Sequence, residues 1–553
     1  MLASCRACPK IRARFRLENS KVIRSAVKVG GFTSLSRVLG LIRDTVTAAA
    51  FGTSSAMSDF VVAFRIPNLF RALFGEGALS SAFVPVFMQT RQQQGEAEAW
   101  SVARKVISLT GLVLLGIVAA GIAVATVMLH RLPRLVEHAP MVLPLLRIML
   151  PYMLFICLTA LSQAILNSYH RFSLPAFTPS LLNLTWIVFV LAVCPLLGDT
   201  MDERIYGVAW GIFFAGMVQL GAQVPAMIRL GYRPGFRLDL NDERVTRFLK
   251  LMGPTALGSS VTQVNVMING ILARWAASWA PASLYYAERL IYLPQGILAT
   301  ALSTVLLPVF SAHAAQGAED RIRGTLNHAL RTLLSVMAPA SIGLLVLARP
   351  ITQLVFGWGH FDQESVGHTS LVLQCYAPGL FVFCLAKVFV PAFYSLQDTR
   401  TPFRIGVISV LLNFGMNLFV TLTWPRELKA AGLALATVVS EGFNGITLGW
   451  LLTRRIGSPG WAEIFRSAGR IVAAAAIMGV CAVACRAGLS HVGQIAGFAP
   501  KLNQVASVLL SIAAGMIVYV LAAAALRCPE IGFVREALLR KRGPGEPPAA
   551  CTE

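Results

Sequence analysis

Long apolar stretches separated by short polar connections dominate the chain from about residue 27 to residue 526. Many of them reach the roughly 18 residues that a helix needs to cross the hydrocarbon core of a bilayer. We therefore predict an all-α integral membrane protein with about fourteen transmembrane helices. The predicted spans are residues 27–51, 59–90, 107–129, 141–167, 174–197, 206–229, 248–273, 289–312, 328–348, 370–395, 403–424, 430–453, 466–488 and 503–526.

The composition supports the membrane class. Of the 553 residues, 56% are hydrophobic and only 13% are charged, whereas soluble domains carry about 25% charged residues. This excludes disordered, fibrous and ordinary soluble proteins. A net charge of +22 would suggest nucleic-acid binding in a soluble protein, but Lys and Arg lie here mainly between the apolar stretches. We therefore expect no nucleic-acid partner.

The distribution of basic residues predicts the orientation. With the N-terminus in the cytoplasm, and with charges near the ends of spans counted with the adjoining loops, the cytoplasmic segments carry 32 of the 48 Lys and Arg residues, the external segments carry 10, and six lie deeper inside spans. Lys and Arg concentrate in the cytoplasmic loops of membrane proteins. We therefore expect both termini on the cytoplasmic side of the plasma membrane.

Short similarities at an offset of about 225 residues indicate an internal repeat. Pro151 and Cys157, for example, recur as Pro378 and Cys384. Because the offset covers six spans, we predict two six-helix lobes of parallel topology, an architecture typical of transporters. The expected division is a basic cytoplasmic extension (1–26), an N-lobe (27–230), a C-lobe (231–455), a C-terminal helix pair (456–530) and a cytoplasmic tail (531–553).

The first span carries an unusual set of charges. Ser36, Arg37, Arg43 and Asp44 fall, at spacings of three and four, on one face of the predicted helix, opposite an apolar face. A charge inside a span is costly and marks a functional position by default. We interpret this face as the wall of a wet or anion-binding cavity. The structural alternative is a buried ion-pair network in which Asp44 balances one arginine.

Two further spans carry charges at related positions. Arg71 and Glu76 lie in the second span, and we interpret Glu76 as a counter-charge that orients an arginine. Arg289 opens the eighth span, directly after Glu288. Several guanidinium groups around one cavity suit a diphosphate, because each planar group binds two phosphate oxygens at once. The candidate diphosphate ligands are Arg37, Arg43, Arg71 and Arg289, and the candidate supporting acids are Asp44, Asp59, Glu76 and Glu288.

Signatures of catalysis are missing from the sequence. It contains no phosphate-binding Walker loop, no H-E-x-x-H zinc motif and no G-x-S-x-G nucleophile motif. Cys5 and Cys8 form a lone C-x-x-C without a second ligand pair, a weak signal for a metal. We expect a transporter without ATPase motifs, without a catalytic residue, cofactor or metal, whose cycle is coupled to the membrane potential or to a monovalent cation.

Several segments resemble the MurJ (MviN) family of lipid II flippases, within the multidrug/oligosaccharidyl-lipid/polysaccharide exporter superfamily. They include S-R-V-L-G-L-I-R-D (36–44), A-F-R-I-P-N-L-F-R-A-L-F-G-E-G-A-L-S-S-A-F-V-P-V-F (63–87), N-S-Y-H-R-F-S-L-P-A-F-T-P (167–179), Y-Y-A-E-R-L-I-Y-L-P-Q-G (285–296) and A-K-V-F-V-P-A-F-Y-S-L-Q-D-T-R-T-P (386–402). The resemblance extends from about residue 25 to about residue 530. It implies fourteen spans in two lobes, and a final helix pair that helps to form a groove for a lipid tail.

The resemblance also assigns roles to particular residues. The cavity arginines of the family fall on the four candidate arginines, a substrate-binding serine on Ser36, and a conserved acid of the second span on Glu76. One departure concerns Asp59, which stands one residue closer to the A-F-R-I-P-N motif than the acid of the family, with Ser58 at the expected place. The role of Asp59 as gate or cavity acid therefore stays open.

The function that the resemblance implies is transfer of lipid II, an undecaprenyl-diphosphate-linked disaccharide peptide, across the bacterial inner membrane by alternating access. Membrane lipids and cell-wall synthesis proteins are the other expected partners. The alternatives are export of another polyprenyl-linked oligosaccharide or of a drug within the same superfamily. A drug exporter should carry more intramembrane acids than bases, whereas arginines dominate here. A scaffold without transport activity has no need of charges at such depth.

Overall fold

The structure, a computed structural model, describes residues 9–73, 79–131, 137–495 and 499–530, with the side chains of 9–27, 254–262, 297–301, 303–304 and 493–494 left aside. Within these ranges the regular secondary structure is helical, with no strand. The predicted all-α class is therefore confirmed. Glu76 lies outside the described residues.

Eighteen α-helices follow one another along the described ranges. Those of the first half are α1 (Pro9–Phe51), α2 (Ser55–Phe70), α3 (Leu79–Gln94), α4 (Glu96–Arg131), α5 (Val142–Met149), α6 (Tyr152–Ser168), α7 (Ser173–Val188) and α8 (Met201–Ile228). Those of the second half are α9 (Glu243–Ala276), α10 (Ala280–Ala315), α11 (Glu319–Val346), α12 (Ala348–Phe356), α13 (Gln363–Tyr376), α14 (Val382–Ser395), α15 (Arg400–Thr423), α16 (Lys429–Ile456), α17 (Trp461–Ile495) and α18 (Pro500–Ala525).

Ten helical segments in the described part of the chain are long and apolar enough to cross a membrane. They coincide with the third to sixth and the ninth to fourteenth predicted spans. The remaining four predicted spans also fall on helices, namely α1, α2 with α3, α9 and α10. These four include the spans that carry the candidate arginines. The multi-pass membrane architecture is confirmed, while the count of fourteen stays a prediction.

The chain divides into two compact units. The first comprises the residues up to Tyr285 with Phe356–Ser365 and Thr421–Ala430, and the second comprises Tyr286–Val355, Val366–Val420 and the residues from Ala431 onward. This grouping by contacts assigns α9 to the first unit, whereas the predicted boundary between lobes, drawn from the repeat, lies at residues 230 and 231. Residues 9–26 of the predicted basic extension form the first part of α1, which begins at Pro9.

Aromatic packing forms much of the core of the first unit. Phe60 and Phe64 on α2 meet the edge of Trp186 on α7, with ring centroids 5.4 and 5.6 Å apart. Trp100 stacks on Tyr169 at 5.6 Å. Edge-to-face and offset contacts are the favoured arrangements of aromatic pairs, and they add to the gain from burying these large side chains. This packing fixes α2 against α7, beside the candidate site, and α4 against the end of α6.

The segment Phe356–Ser365 belongs to the first unit because its backbone packs closely on the end of α1. The amide of His360 donates to the carbonyl of Ala49 at 2.8 Å. Gly359 has a φ of 57°, and a Cβ there would lie 2.3 Å from the same carbonyl oxygen. Only glycine combines this left-handed backbone with so close an approach. Gly52 lies on the other side of this contact, where a Cβ would meet the carbonyl oxygen of His360.

In the second unit, α11 packs on α17, and α17 packs on α18. Their contact buries Leu334, Ala338, Ile471 and Ala523. Elsewhere on these helices large apolar side chains face outward, such as Val480, which is 73% exposed. A water-soluble helix would bury such positions, so this surface is suited to contact with lipid.

Candidate functional site

The clearest polar site of the first unit is centred on Arg43. Its side chain is only 11% exposed, and that of Asp44 is 4% exposed. The guanidinium group donates from Nε and from one terminal nitrogen to Asp44 Oδ1, at 2.9 and 2.7 Å. The other terminal nitrogen donates to Asn183 Oδ1 on α7 at 2.9 Å. The arginine is therefore neutralised by an adjacent acid and fixed by a neighbouring helix.

Three more groups complete this network. The guanidinium carbon of Arg43 lies 4.5 Å from the centre of the Trp186 ring, a cation–π distance. The hydroxyl of Tyr285 donates to Asp44 Oδ1 at 3.0 Å. Asn183 also donates from Nδ2 to the carbonyl of Ser36 at 2.9 Å. The ion-pair alternative considered from the sequence is thus what the structure shows for Arg43. The network holds the guanidinium group of Arg43 in one orientation.

The other candidates on α1 are less enclosed. Arg37 is exposed and Ser36 is half-buried, and the bond that the Ser36 carbonyl accepts from Asn183 joins this turn to α7. Gly40 lies one turn away, with its Cβ position 3.7 Å from Asn183 Nδ2. The structure therefore places Ser36, Arg37 and Arg43 along the face predicted from the sequence, with Asn183 beside it.

Arg71 follows the end of α2 and is half-buried. Its Nε donates to Asn68 Oδ1 at 2.8 Å, one helical turn earlier. Arg65, on the same helix, donates to the carbonyl of Val266 on α9. Gly270 lies beside it, where a Cβ would come within 2.8 Å of the arginine Cδ. The absence of a side chain at Gly270 leaves room for the stem of Arg65.

The structure gives Asp59 a partner that the sequence reasoning had not considered. Asp59 is 1% exposed, and Arg274 at the end of α9 donates from Nε to its Oδ1 at 2.5 Å. The amide of Met141 donates to Oδ2 at 3.1 Å, and Arg274 also donates to Ser55 Oγ at 2.8 Å. Asp59 therefore pairs with Arg274, whereas Arg65 on the same helix as Asp59 bonds to the carbonyl of Val266. Asp59 fastens α2 to α9.

Arg289 and Glu288 lie in the second unit, both half-buried on α10. The hydroxyl of Tyr376 donates to Glu288 Oε1 at 3.5 Å. Arg37, Arg43 and Arg71 belong to the first unit. The convergence of four guanidinium groups on one diphosphate therefore stays a prediction.

An apolar groove of about 1020 Å³ lies within the second unit. Residues from five helices line it: Leu293, Pro339, Ile351, Met478, Ile512 and Tyr519 are representative. Glu530 lines it as well, and there Arg331 donates to the Glu530 carboxylate at 2.6 Å. The sequence predicted such a groove only through the family resemblance. Its shape and lining suit a long hydrocarbon chain.

Within the first unit, a cluster of ion pairs fastens the connection between α8 and α9 to α4. Lys105 donates to Asp239 and Asp242 at 2.6 and 2.8 Å. Arg244 donates to both oxygens of Asp242 and, at 3.0 Å, to Glu98. The hydrogen bonds from Arg244, with those from Lys105, outweigh burial and hold the pKa of Asp242 below its ordinary value. We name Lys105, Asp239, Asp242, Arg244 and Glu98 the connection clamp.

The sequence reasoning missed the partners that position the candidates. Asn183, Trp186 and Tyr285 hold Arg43 and Asp44, and Arg274 holds Asp59. A buried asparagine and a tryptophan in an apolar span are the only signals that could have marked two of them. Within the described residues, no group of three His, Cys, Asp or Glu side chains is arranged to hold a metal ion.

Comparisons with known proteins agree with the sequence resemblance. The family model described as lipid II flippase MurJ matches residues 47–504. The lipid II flippase MurJ of Burkholderia cenocepacia is 33% identical over 476 residues, which cover 84% of this chain and 90% of that protein.

Solved structures show the same fold. A lipid II flippase MurJ in an inward closed conformation superimposes with a TM-score of 0.70 and 24% identity, over 93% of this chain and 100% of that chain. An inward-facing multidrug resistance MATE family transporter of the MOP superfamily gives a TM-score of 0.63 and 13% identity, over 80% of this chain and 99% of that chain. Because the family model and the Burkholderia protein both align along most of the sequence, the chain belongs to the lipid II flippase MurJ family.

Proposed function

We propose that this chain moves lipid II from the inner to the outer leaflet of a bacterial plasma membrane. The observation that carries the proposal is the presence, in one chain of this family, of a preoriented buried arginine and an apolar groove of about 1020 Å³. An isoprenoid diphosphate presents the matching chemistry, with a dianionic head and a long hydrocarbon tail. The polar head cannot cross hydrocarbon unaided, so a protein cavity must replace its water.

The head is held by the candidate arginines and by Ser36. A guanidinium group binds phosphate oxygens in pairs and cannot lose its charge in a protein. Arg43 contributes most to orientation because Asn183 and Trp186 already fix its plane. Arg37, which is exposed, supplies charge from a less constrained position. Arg71 and Arg289 are proposed to complete the set.

Asp44 is proposed to compensate the charge of Arg43 before the diphosphate binds and after it leaves. Without an anion, a buried arginine would be left uncompensated, which is strongly unfavourable. Asp44 accepts two bonds from Arg43. We propose that the diphosphate takes over part of these bonds on binding and that Asp44 recovers them on release. Glu288 and Glu76 are proposed to serve other arginines in the same way.

The tail is proposed to stay in the groove lined by α11, α17 and α18 while the head crosses. The lobes then rock to open the cavity outward. The chain is proposed to act as a transporter and not as an enzyme. Coupling to the membrane potential, which is worth about 2.3 kcal/mol per charge and 100 mV, or to a monovalent cation would drive the cycle. Both termini are placed in the cytoplasm, and membrane lipids and cell-wall synthesis proteins are the proposed partners.

A second candidate is export of another polyprenyl-linked oligosaccharide. It is favoured by the chemistry of the two features, because guanidinium groups match a diphosphate and an apolar groove matches an isoprenoid chain, and any polyprenyl-linked oligosaccharide carries both. A drug exporter is less well supported, because the structural similarity to MATE transporters, at 13% identity, shows the fold alone.

The test is depletion of the native flippase in bacteria and rescue by variants of this chain. The expected result for Arg43→Ala with Arg289→Ala is normal membrane insertion and accumulation of lipid II in the inner leaflet, measured by its accessibility to an external probe. Arg131→Ala, at the exposed end of α4, is the matched control and should rescue fully. Full rescue by the double variant would contradict the proposed site.

A further inference from the structure

A second cavity, distinct from the Arg43 site and the groove, lies in the first unit, with a volume of about 630 Å³. It is formed where the end of α9 meets two connections, the one before α5 and the one before α16. Four basic side chains line it, together with a tryptophan and a serine: His138, Arg274, Arg426, Lys429, Trp275 and Ser278. We name it the basic cavity.

The charge of the basic cavity is only partly balanced. Arg274 is paired with Asp59. Arg426 is exposed and Lys429 is half-buried, and neither forms an ion pair with a carboxylate among the described residues. Two cations that share one hollow without an acid repel each other. Such an arrangement is relieved when an anion enters.

One side of the basic cavity is rigid. Arg274, with a side chain that is 9% exposed, is held by Asp59 Oδ1 at 2.5 Å and Ser55 Oγ at 2.8 Å. The two bonds use nitrogens on one edge of the guanidinium group and fix its plane. A prepositioned guanidinium group beside two further cations suits a phosphate, because the planar group sets the geometry and the others add charge.

The rim of the basic cavity indicates where the anion comes from. Trp275 directly follows Arg274 and is 60% exposed. An exposed tryptophan at the end of a membrane helix is typical of the interface at which lipid headgroups lie. In the proposed orientation, in which α9 starts in the cytoplasm, this end of the helix faces the outside of the cell.

We infer that the basic cavity binds the phosphate of a membrane lipid at the outer face of the membrane. The lipid is either the transported isoprenoid diphosphate after it has crossed or an anionic phospholipid of the outer leaflet; the shared ligand is a lipid phosphate. The assignment to the outer face rests on the proposed function and its orientation, whereas binding itself does not. Arg426 and Lys429 supply the charge, Arg274 sets the geometry, and Asp59 acts as the positioning residue of Arg274.

The test is native mass spectrometry of the delipidated full-length protein titrated with undecaprenyl diphosphate, phosphatidylglycerol or phosphatidylcholine. Removing both free cations in Arg426→Ala with Lys429→Ala should weaken retention of at least one phosphate-bearing anion about tenfold or more, and leave phosphatidylcholine unchanged. Arg486→Ala, an exposed basic residue of α17 outside the cavity, is the control and should change nothing.

The lipid that loses affinity identifies the source. Weaker retention of undecaprenyl diphosphate alone assigns the cavity to the transported lipid, and weaker retention of phosphatidylglycerol assigns it to the resident phospholipid. Unchanged retention of both would overturn the inference. Asp59→Asn should weaken the same lipid without removing any cationic group of the cavity, and Asp59→Glu should restore part of it.

The orientation is tested separately. In Ser278→Cys, a membrane-impermeant maleimide added to intact spheroplasts should label the new cysteine above the level of the parent chain, and the bound lipid should slow labelling. Labelling only after the membrane is opened would overturn the outer-face assignment. The Arg43 and Arg289 variants should retain lipid in the basic cavity even where they fail to flip lipid II, so that failure of one proposal is distinguished from failure of the other.

Discussion

The Arg43 site of the first unit and the groove of the second unit are built in opposite ways. Around Arg43, a few directed bonds from Asp44, Asn183 and Tyr285 fix each polar group. The groove instead offers about 1020 Å³ lined mainly by apolar side chains, with directed contacts confined to a few positions such as Glu530. Loss of one bond in the first region should therefore be costly, whereas loss in the second should scale with the volume filled.

The largest expected effect comes from breaking the charge balance at Arg43. Asp44→Ala leaves an uncompensated buried guanidinium group, and loss of one partner from a buried pair costs about 3–5 kcal/mol. We expect a large drop in the thermal midpoint of the purified protein and loss of rescue in depleted cells. Thermal unfolding monitored by fluorescence measures the first effect.

Two variants at this site separate stability from substrate binding. Asp44→Asn keeps the shape of the side chain and a carbonyl oxygen for Tyr285, so a smaller drop in midpoint is expected. Arg43→Lys keeps the charge but loses the bidentate geometry, and should unfold near the normal midpoint while rescuing poorly. An unchanged midpoint for Asp44→Ala would contradict the bonding described for Arg43.

The groove should respond to volume instead of charge. Gly343 lines it, and the nearest atom to a Cβ there is Met478 Cε at 3.9 Å. Gly343→Leu should fill the groove without a clash. Because each buried methylene is worth about 0.8 kcal/mol, displacement of two or three of them should weaken binding of undecaprenyl diphosphate about tenfold or more.

A chain-length series makes this measurement selective. Binding of a short isoprenoid diphosphate, which does not fill the groove, should be unaffected by Gly343→Leu. Gly406→Leu on α15, where no atom lies within 4 Å of a Cβ, is the matched control for the gain of a leucine. Equal weakening for short and long lipids would argue against a tail site in the groove.

The connection clamp should show a pH dependence. The pKa of Asp242 is lowered in the folded protein from 3.8, chiefly by hydrogen bonds from Arg244. A lowered acid pKa means that the clamp contributes its full stability above about pH 4 and loses it as the pH falls through the folded pKa. Hydrogen exchange of residues 229–250 should therefore be constant from pH 7 to pH 5, after correction for intrinsic rates, and rise below pH 4.

Asp242→Asn should give fast hydrogen exchange of residues 229–250 already at pH 7, because loss of the charged bonds lowers the local stability by about 1–3 kcal/mol. Asp199→Asn, an exposed acid elsewhere in the same unit, should not. Fast exchange that is the same in wild type and in Asp242→Asn at pH 7 would show that the clamp does not hold the connection.

The smallest effect is expected at an exposed ion pair. Arg323 and Asp320 pair at i,i+3 on α11, with side chains that are 36% and 85% exposed. Exposed pairs contribute about 0–1 kcal/mol, so Asp320→Ala should leave the thermal midpoint within about one degree and rescue fully. A shift as large as that of Asp44→Ala would mean that burial does not decide the energetics of these charges.

The sequence predicts the fold of this protein better than its site. Apolar stretches of the right length identify the ten helical segments that could cross a membrane directly, because hydropathy depends only on local composition. Charges at helical spacing predict the shared face of Ser36, Arg37 and Arg43, since the period of a helix is known in advance.

Partners that lie far apart in the chain could not be predicted in this way. Asn183 meets Arg43 across 140 residues, and Arg274 meets Asp59 across 215 residues. Both contacts depend on how helices pack, which a single periodic pattern does not encode. The seventh predicted span ends at residue 273 and leaves Arg274 in an external loop. The structure shows the Arg274 side chain only 9% exposed and paired with Asp59 on α2, a contact that depends on helix packing.

Transport of lipid II by the purified protein is the most direct test of the proposed function. The chain is reconstituted into liposomes that contain labelled lipid II and carry a membrane potential, and the fraction of label reached by an impermeant quencher is followed with time. We expect transfer well above that of protein-free liposomes and of the Arg43→Ala with Arg289→Ala variant. Transfer at the protein-free rate by the intact, correctly inserted wild-type chain would contradict it.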